Sequence, residues 1–163
     1  MSKNIGKIGE AKLASTLTKI AQIEDTVDFR KPSFTNAPDE GLDFQLKAPH
    51  NISEKLRDII EDKEEISTLS STDIKIRIDH KEYDDRKIGK AVATKFVSDI
   101  EKNPDNAEHW LTGGTGLTSG AKSELKNAKA VVRHYSNDDI NKIDNYYQNE
   151  LENQNHNDFD EEN

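Results

Sequence analysis

The sequence contains no cysteine among its 163 residues. This absence excludes a disulfide-stapled scaffold and a zinc site built from thiolates. The chain also lacks the run of about 18 to 20 apolar residues that a membrane span requires, and its start, MSKNIGKIGE, lacks the apolar segment of a signal peptide. We therefore expect a soluble, cytoplasmic protein.

Apolar residues are also scarce, at 32% of the chain against 34% charged residues. A chain with this balance is not expected to pack equally well over its whole length. The length suits one compact domain with a tail. We predict one domain over residues 1–147 and an acidic, disordered tail over residues 148–163.

The net charge of -9 argues at first against a nucleic-acid partner. However, the charge is unevenly placed, because residues 137–163 contain nine acidic side chains and a single lysine. The remainder of the chain is therefore nearly neutral. An acidic end does not exclude a basic surface elsewhere on the same molecule.

Hydrophobic periodicity predicts an α/β fold with a mixed central sheet flanked by helices. Leu13, Leu17 and Ile20 repeat at helical spacing near the amino end, whereas LDFQLK and IKIRIDHKEY alternate like strands. Residues 48–73 are predicted as a helical insertion between these two strands. The predicted order is helix, strand, strand, inserted helix, strand, helix, strand, helix, strand, helix.

The strand IKIRIDHKEY has a polar face that calls for an explanation. Ile74, Ile76 and Ile78 share one face, and the opposite face carries Asp79 and, two residues later, Lys81. Asp43 lies on the polar face of the partner strand. Magnesium prefers carboxylate oxygens, and a neighbouring lysine can polarise a phosphate or its attacking water. This pattern fits hydrolysis of a phosphodiester bond.

Glu10 lies on or beside the apolar stripe of the first helix. An unpaired carboxylate is unfavourable there. Either it reaches water from the edge of the stripe, or it points towards the two aspartates and completes a metal site.

Several short motifs in this order resemble the PD-(D/E)XK nuclease superfamily, and most of all its Mrr-type restriction nucleases and archaeal-type Holliday-junction resolvases. The motifs are Gly9-Glu10, Asp39-Glu40-Gly41-Leu42-Asp43 and Ile78-Asp79-His80-Lys81. The segment HWLTGGTGLTSGAKSELKNAKAVVRHY also resembles that group's strand, helix and final strand, matched at Leu117, Thr118, Ala121, Leu125 and Val131.

The resemblance implies a restriction-endonuclease-like fold and an endonuclease that depends on Mg²⁺ or Mn²⁺ and cuts DNA. It implies that Glu10, Asp43 and Asp79 hold the metal and that Lys81 assists the nucleophile. It also implies a homodimer. The chain departs from the pattern in the 26 residues, 48–73, that separate the two catalytic strands, where relatives commonly have a short turn.

Basic residues near this site are candidates for contacting a phosphate backbone, although they can equally form a solvated surface. They are Lys75, Arg77, Arg86, Lys87 and Lys90.

Three alternatives remain open at this level. Asp39 with Gln45-Leu46-Lys47 could supply the acid and lysine instead, the domain could be an inactive module that binds nucleic acid or protein, or the substrate could be RNA. The segment GGTGLTSG lacks the lysine of a phosphate-binding loop and is interpreted as a tight turn, which could still touch a substrate phosphate. His80 is interpreted as a packed or hydrogen-bonded histidine.

Overall fold

The computed structural model describes the backbone of residues 2–31 and 43–161, and the side chains of residues 9–31 and 43–155. Within these residues, five helices and five strands follow one another in the predicted order. They are α1 (Ser2–Ile23), β1 (Asp28–Arg30), β2 (Phe44–Pro49), α2 (Ile52–Ile60), β3 (Asp73–Lys81), α3 (Lys90–Ser98), β4 (Glu108–Gly113), α4 (Ser119–Lys126), β5 (Val131–Tyr135) and α5 (Asn137–Glu161).

The five strands form one mixed sheet in the spatial order β1-β2-β3-β4-β5. The β1–β2 and β2–β3 pairs are antiparallel, and the β3–β4 and β4–β5 pairs are parallel. The predicted mixed α/β architecture is confirmed. Because β2 runs against β3, the start of β2 lies at the same sheet edge as the ends of β3, β4 and β5.

Helices pack on both faces of the sheet. The larger core contains the predicted stripe of α1 together with Phe44, Leu46, Ile76 and Ile78, all of them buried, and residues of α2 and α5. The smaller core, on the other face, is formed by Ile88, Phe96 and Leu111. The strand alternation therefore predicts the inward residues correctly, and α3 covers the polar face of β3 at Arg77.

The region between β2 and β3 differs from the predicted helical insertion over residues 48–73. Its helix covers only Ile52–Ile60, and the ends of the region extend the two strands. The helix stops where Asp62 adopts a left-handed φ of 54° and a charged run without an apolar stripe begins. Ile52, Leu56 and Ile59 are buried, so α2 belongs to the core.

The helix α5 continues through Glu161, where the sequence predicts a disordered tail. Ile140, Ile143 and Tyr147 are buried and anchor its first half. Once a helix is nucleated, each further residue adds one hydrogen bond, so a polar segment can extend it. Neither α5 nor any other helix in the described residues is long and apolar enough to cross a membrane.

Candidate active site

Asp43, Asp79 and Lys81 lie at one end of the sheet, where β2 begins and where β3, β4 and β5 finish. This end is called the sheet edge below. Phe44, the first residue of β2, pairs with Ile78 of β3, so Asp43 lies one residue before this pair and Asp79 one residue after it. Lys81 ends β3 beside Gly113, the last residue of β4. In open α/β sheets, ligands bind outside the carboxyl ends of the parallel strands, which is the edge occupied here.

Asp43 is hydrogen-bonded to the β3 backbone on both sides of Asp79. Its own N–H donates to the Ile78 carbonyl at 3.0 Å, and its Oδ2 accepts from the His80 N–H at 2.7 Å. These two bonds fix the Asp43 carboxylate against the strand that carries Asp79 and Lys81.

Asp79 is buried and its charge is balanced by Lys81. Its side chain is 2% exposed, and its Oδ1 lies 3.3 Å from the Lys81 Nζ. A buried carboxylate is costly without such a cation. The Lys81 side chain is 29% exposed, so this lysine is partly accessible to solvent beside the buried acid.

Glu10 is paired with Lys31, a residue that was not predicted from the sequence as part of the site. The Glu10 Oε2 lies 3.3 Å from the Lys31 Nζ, and this ammonium group lies 5.8 Å from the centroid of the Phe44 ring. Among the described side chains, no three His, Asp or Glu residues come close enough to share a metal ion. The structure thus brings together two of the three predicted metal ligands, Asp43 and Asp79, and leaves Glu10 with Lys31.

The two remaining carboxylates suit a hard divalent cation. Mg²⁺ is commonly held by one or two carboxylates, with water and substrate phosphates completing its octahedron. Asp43 and Asp79 would provide hard oxygen donors on adjacent strands, with Asp43 oriented by two backbone bonds. The residues present therefore fit this ion. Asp39, Glu40, Gly41 and Leu42 lie outside the described residues, which leaves the alternative based on Asp39 open.

The loop between β4 and α4, residues 113–118, contacts the end of β3 closely and is called the glycine loop here. Gly113 has a φ of 105°, and a Cβ built on it would overlap the Lys81 carbonyl oxygen. The loop also bonds the segment before α3, because the Ile88 N–H donates to the Gly116 carbonyl at 2.9 Å. Thr118 caps α4 by accepting a hydrogen bond from the Ala121 N–H at 3.1 Å. The tight-turn interpretation agrees with this geometry.

Three of the predicted phosphate-contacting residues follow the site along the chain. Arg86, Lys87 and Lys90 are exposed. Arg86 stacks over the Tyr83 ring at 3.9 Å from its centroid. Lys75 is exposed as well, but it lies near the opposite end of β3.

Arg77 requires a correction, because it is fully buried and is not available to a phosphate backbone. Its Nε donates to the His109 Nδ1 at 2.8 Å, its Nη2 donates to the Phe96 carbonyl at 2.8 Å, and its guanidinium lies 4.1 Å from the Phe96 ring centroid. Strand alternation predicts the polar face correctly, but α3 covers that face at this position. Burial, and then the charge of Arg77, lower the pKa of His109 to about 4.

His80 is a hydrogen-bonded histidine, as predicted, on the opposite face of β3 from Asp79. Its Nδ1 lies 2.9 Å from the Thr112 Oγ1 and its Nε2 lies 3.0 Å from the Glu82 Oε2. Gly9 lies so close to the Glu82 carboxylate that a Cβ would overlap it. Glu82 was not predicted from the sequence, although its spacing of two from His80 places both on one strand face.

Comparison of the chain with protein-family models, with curated proteins and with solved structures finds no significant match. The chemistry of the site is therefore argued from its own geometry. That geometry consists of two carboxylates on adjacent strands, a lysine beside the buried one, and exposed cations nearby.

Proposed function

We propose that the protein is a Mg²⁺-dependent endonuclease that hydrolyses phosphodiester bonds in DNA, on a restriction-endonuclease-like fold. One observation carries the proposal. Asp43 is bonded to the β3 backbone on both sides of Asp79, and Lys81 lies 3.3 Å from the Asp79 carboxylate. Two acids and a lysine therefore lie at this end of the sheet, and such groups can support metal-dependent hydrolysis of a phosphodiester bond.

In the reaction, a water oxygen attacks phosphorus and gives up a proton to solvent, the bond from phosphorus to the leaving oxygen breaks, and the leaving oxygen takes up a proton. A divalent cation held by Asp43 and Asp79 would neutralise the charge that develops on the phosphate and would activate water. Asp43, fixed by its backbone bonds, orients the site before substrate arrives. Lys81, close to Asp79 and partly exposed, is positioned to donate a hydrogen bond to the attacking water or to a phosphate oxygen.

Arg86, Lys87 and Lys90 would contact the phosphate backbone beside the cut. They are exposed and belong to the segment that is hydrogen-bonded to the glycine loop at the same sheet edge. Such contacts hold the duplex without selecting a sequence. Cutting both strands of a duplex, or a branched junction, requires two active sites, so we propose a homodimer.

A catalytically inactive binding module is the second candidate. The ion pair of Asp79 with Lys81 is compatible with it, because a purely structural pair would have the same 3.3 Å separation. A module of this kind would bind nucleic acid without turnover. RNA as the substrate is the third possibility, and the same assay separates all three.

The test is cleavage of linear, supercoiled, branched and single-stranded DNA and of RNA, with Mg²⁺, with Mn²⁺ or with chelator. We expect wild type to cut DNA only when a metal is present. Asp79→Asn and Lys81→Met are each expected to lower the cleavage rate by about 100-fold or more, in line with the loss of a group that acts at the reacting phosphate.

Asp73→Asn is the matched control for Asp79→Asn. It makes the same change on the same strand, but at an exposed position at the far end of β3. We expect this variant to cut like wild type. The nuclease proposal fails if wild type cuts none of these substrates, or if Asp79→Asn cuts as fast as Asp73→Asn. Binding without any cleavage would support the inactive module instead.

A further inference from the structure

A groove of about 250 Å³ lies on the sheet at the end remote from the site. Its lining residues come from three adjacent strands and are Asp28, Arg30, Gln45, Lys47 and Lys75. Lys75 alternates with Arg77 and Asp79 and therefore lies on the same sheet face as Asp79. Whereas α3 covers Arg77, both Lys47 and Lys75 are exposed. The groove is open to solvent.

The groove concentrates positive charge in a chain whose net charge is -9. It contains three cations and one carboxylate. Lys47 of β2 pairs directly with Lys75 of β3, and like charges at directly opposite positions destabilise a sheet. On β1, Asp28 lies opposite Lys47. Its Oδ2 is 3.6 Å from the Arg30 Nε, and this ion pair contributes little to stability because both side chains are exposed. The arrangement therefore costs stability in the free protein, and a bound anion would relieve the repulsion.

We propose that this groove binds the phosphate backbone of the nucleic acid that the protein cuts, and this inference rests on the proposed function. Asp43 and Lys47 are four residues apart on one face of β2, which is about 13 Å in an extended chain. Gln45 lies between them, is only half-buried and also lines the groove. A strand of nucleic acid held at Asp43 and Asp79 can therefore continue along β2 into the groove, beside the part of the sheet that α3 covers. The guanidinium of Arg30 can bind a phosphate through two hydrogen bonds, and the Gln45 amide can donate another.

The test compares two triple variants that remove the same charge. The groove variant combines Arg30→Gln, Lys47→Gln and Lys75→Gln. The control variant changes three exposed lysines on or next to α4, by combining Lys122→Gln, Lys126→Gln and Lys129→Gln. Binding of a fluorescent DNA duplex is measured by anisotropy over a range of salt concentrations. Each lost phosphate contact lowers the slope of log K against log salt by about 0.9. We expect the slope to fall by about 2 to 3 in the groove variant and by less than about 1 in the control.

Equal slopes in the two variants would overturn the proposal. So would an unchanged slope combined with a change in oligomeric state, because the occupant would then be an acidic segment of a second copy. Lys75→Arg keeps the charge and is expected to keep the wild-type slope, and circular dichroism checks that every variant is folded. Binding is also measured for Asp79→Asn, so that loss of the groove contact and failure of the cleavage proposal are observed separately.

Discussion

The Asp43 carboxylate accepts a hydrogen bond from the His80 backbone N–H at 2.7 Å, and this bond ties the start of β2 to the strand that carries Asp79 and Lys81. Asp43 thus has a structural and a proposed chemical role. Asparagine keeps an oxygen that can accept the bond but loses the charge, whereas alanine loses both. The two substitutions therefore separate the roles.

Asp43→Asn is expected to lower cleavage by about 100-fold or more while changing the free energy of unfolding by less than about 1 kcal/mol. Asp43→Ala is expected to lower cleavage to the same extent. It should also lower the free energy of unfolding by a further 1 to 2 kcal/mol, roughly, because the His80 N–H is left without its hydrogen-bond acceptor. Urea unfolding and the rate of DNA cleavage are measured for both. Equal stability of the two variants would contradict the structural role.

Replacing Arg77 is expected to destabilise the fold rather than to weaken nucleic-acid binding. Its guanidinium bonds His109 and Phe96 and is fully buried. Arg77→Met leaves those acceptors unpaired, which costs about 2 to 4 kcal/mol. Arg77→Lys should recover little of this stability, because an ammonium group cannot present the planar set of N–H donors of a guanidinium. Urea unfolding gives the cost. A change in the salt dependence of DNA binding by the folded variant would argue for a surface role.

The stability of the protein is expected to fall below neutral pH through His109. Its pKa of about 4 lies below the usual 6.5, so the unfolded chain binds a proton in this interval that the folded protein excludes. The stability that the neutral His109 provides is fully present above pH 6.5 and is lost as the pH falls towards 4. We expect His109→Gln, whose amide oxygen can still accept from Arg77, to flatten the dependence of the unfolding free energy on pH. Equal slopes for wild type and variant between these two values would contradict the assignment.

Periodicity predicts the order of all ten elements because it reports which residues avoid water. Leu13, Leu17, Phe44, Ile76 and Ile78 are buried where the pattern places them. The same argument brings Asp43 and Asp79 to one sheet edge, since both lie on polar faces of antiparallel neighbours. Local pattern and topology thus determine most of the candidate site.

Alternation gives the face of a side chain, but it does not tell what covers that face. Lys75 and Arg77 have the same sequence signal, yet one is exposed and the other lies beneath α3. The groove was missed for a related reason, because Arg30 and Lys47 join Lys75 only through the register between strands. The sequence also does not show that Lys31 pairs with Glu10, because the two residues are 21 positions apart. Each of these features depends on a contact between elements.

Gly113 is expected to be required for both the fold and the position of Lys81. Its φ of 105° is unfavourable for other residues, and a Cβ would overlap the Lys81 carbonyl oxygen, which is backbone and cannot swing away. Gly113→Ala should therefore cost more than about 2 kcal/mol in urea unfolding. The added Cβ would push the end of β3 away, and this end carries Lys81. The folded variant should therefore also cut more slowly at saturating DNA.

The matched control for Gly113→Ala is a substitution at Gly89, which precedes α3 in an extended conformation and has open space, with no atom within 4 Å, where a Cβ would lie. Gly89→Ser introduces a hydroxyl at a helix N-cap and should stabilise by a few tenths of a kcal/mol, roughly. If Gly113→Ala is as stable and as active as Gly89→Ser, the end of β3 does not depend on the close approach of the glycine loop. A loss of stability with full cleavage by the folded fraction would limit Gly113 to a structural role.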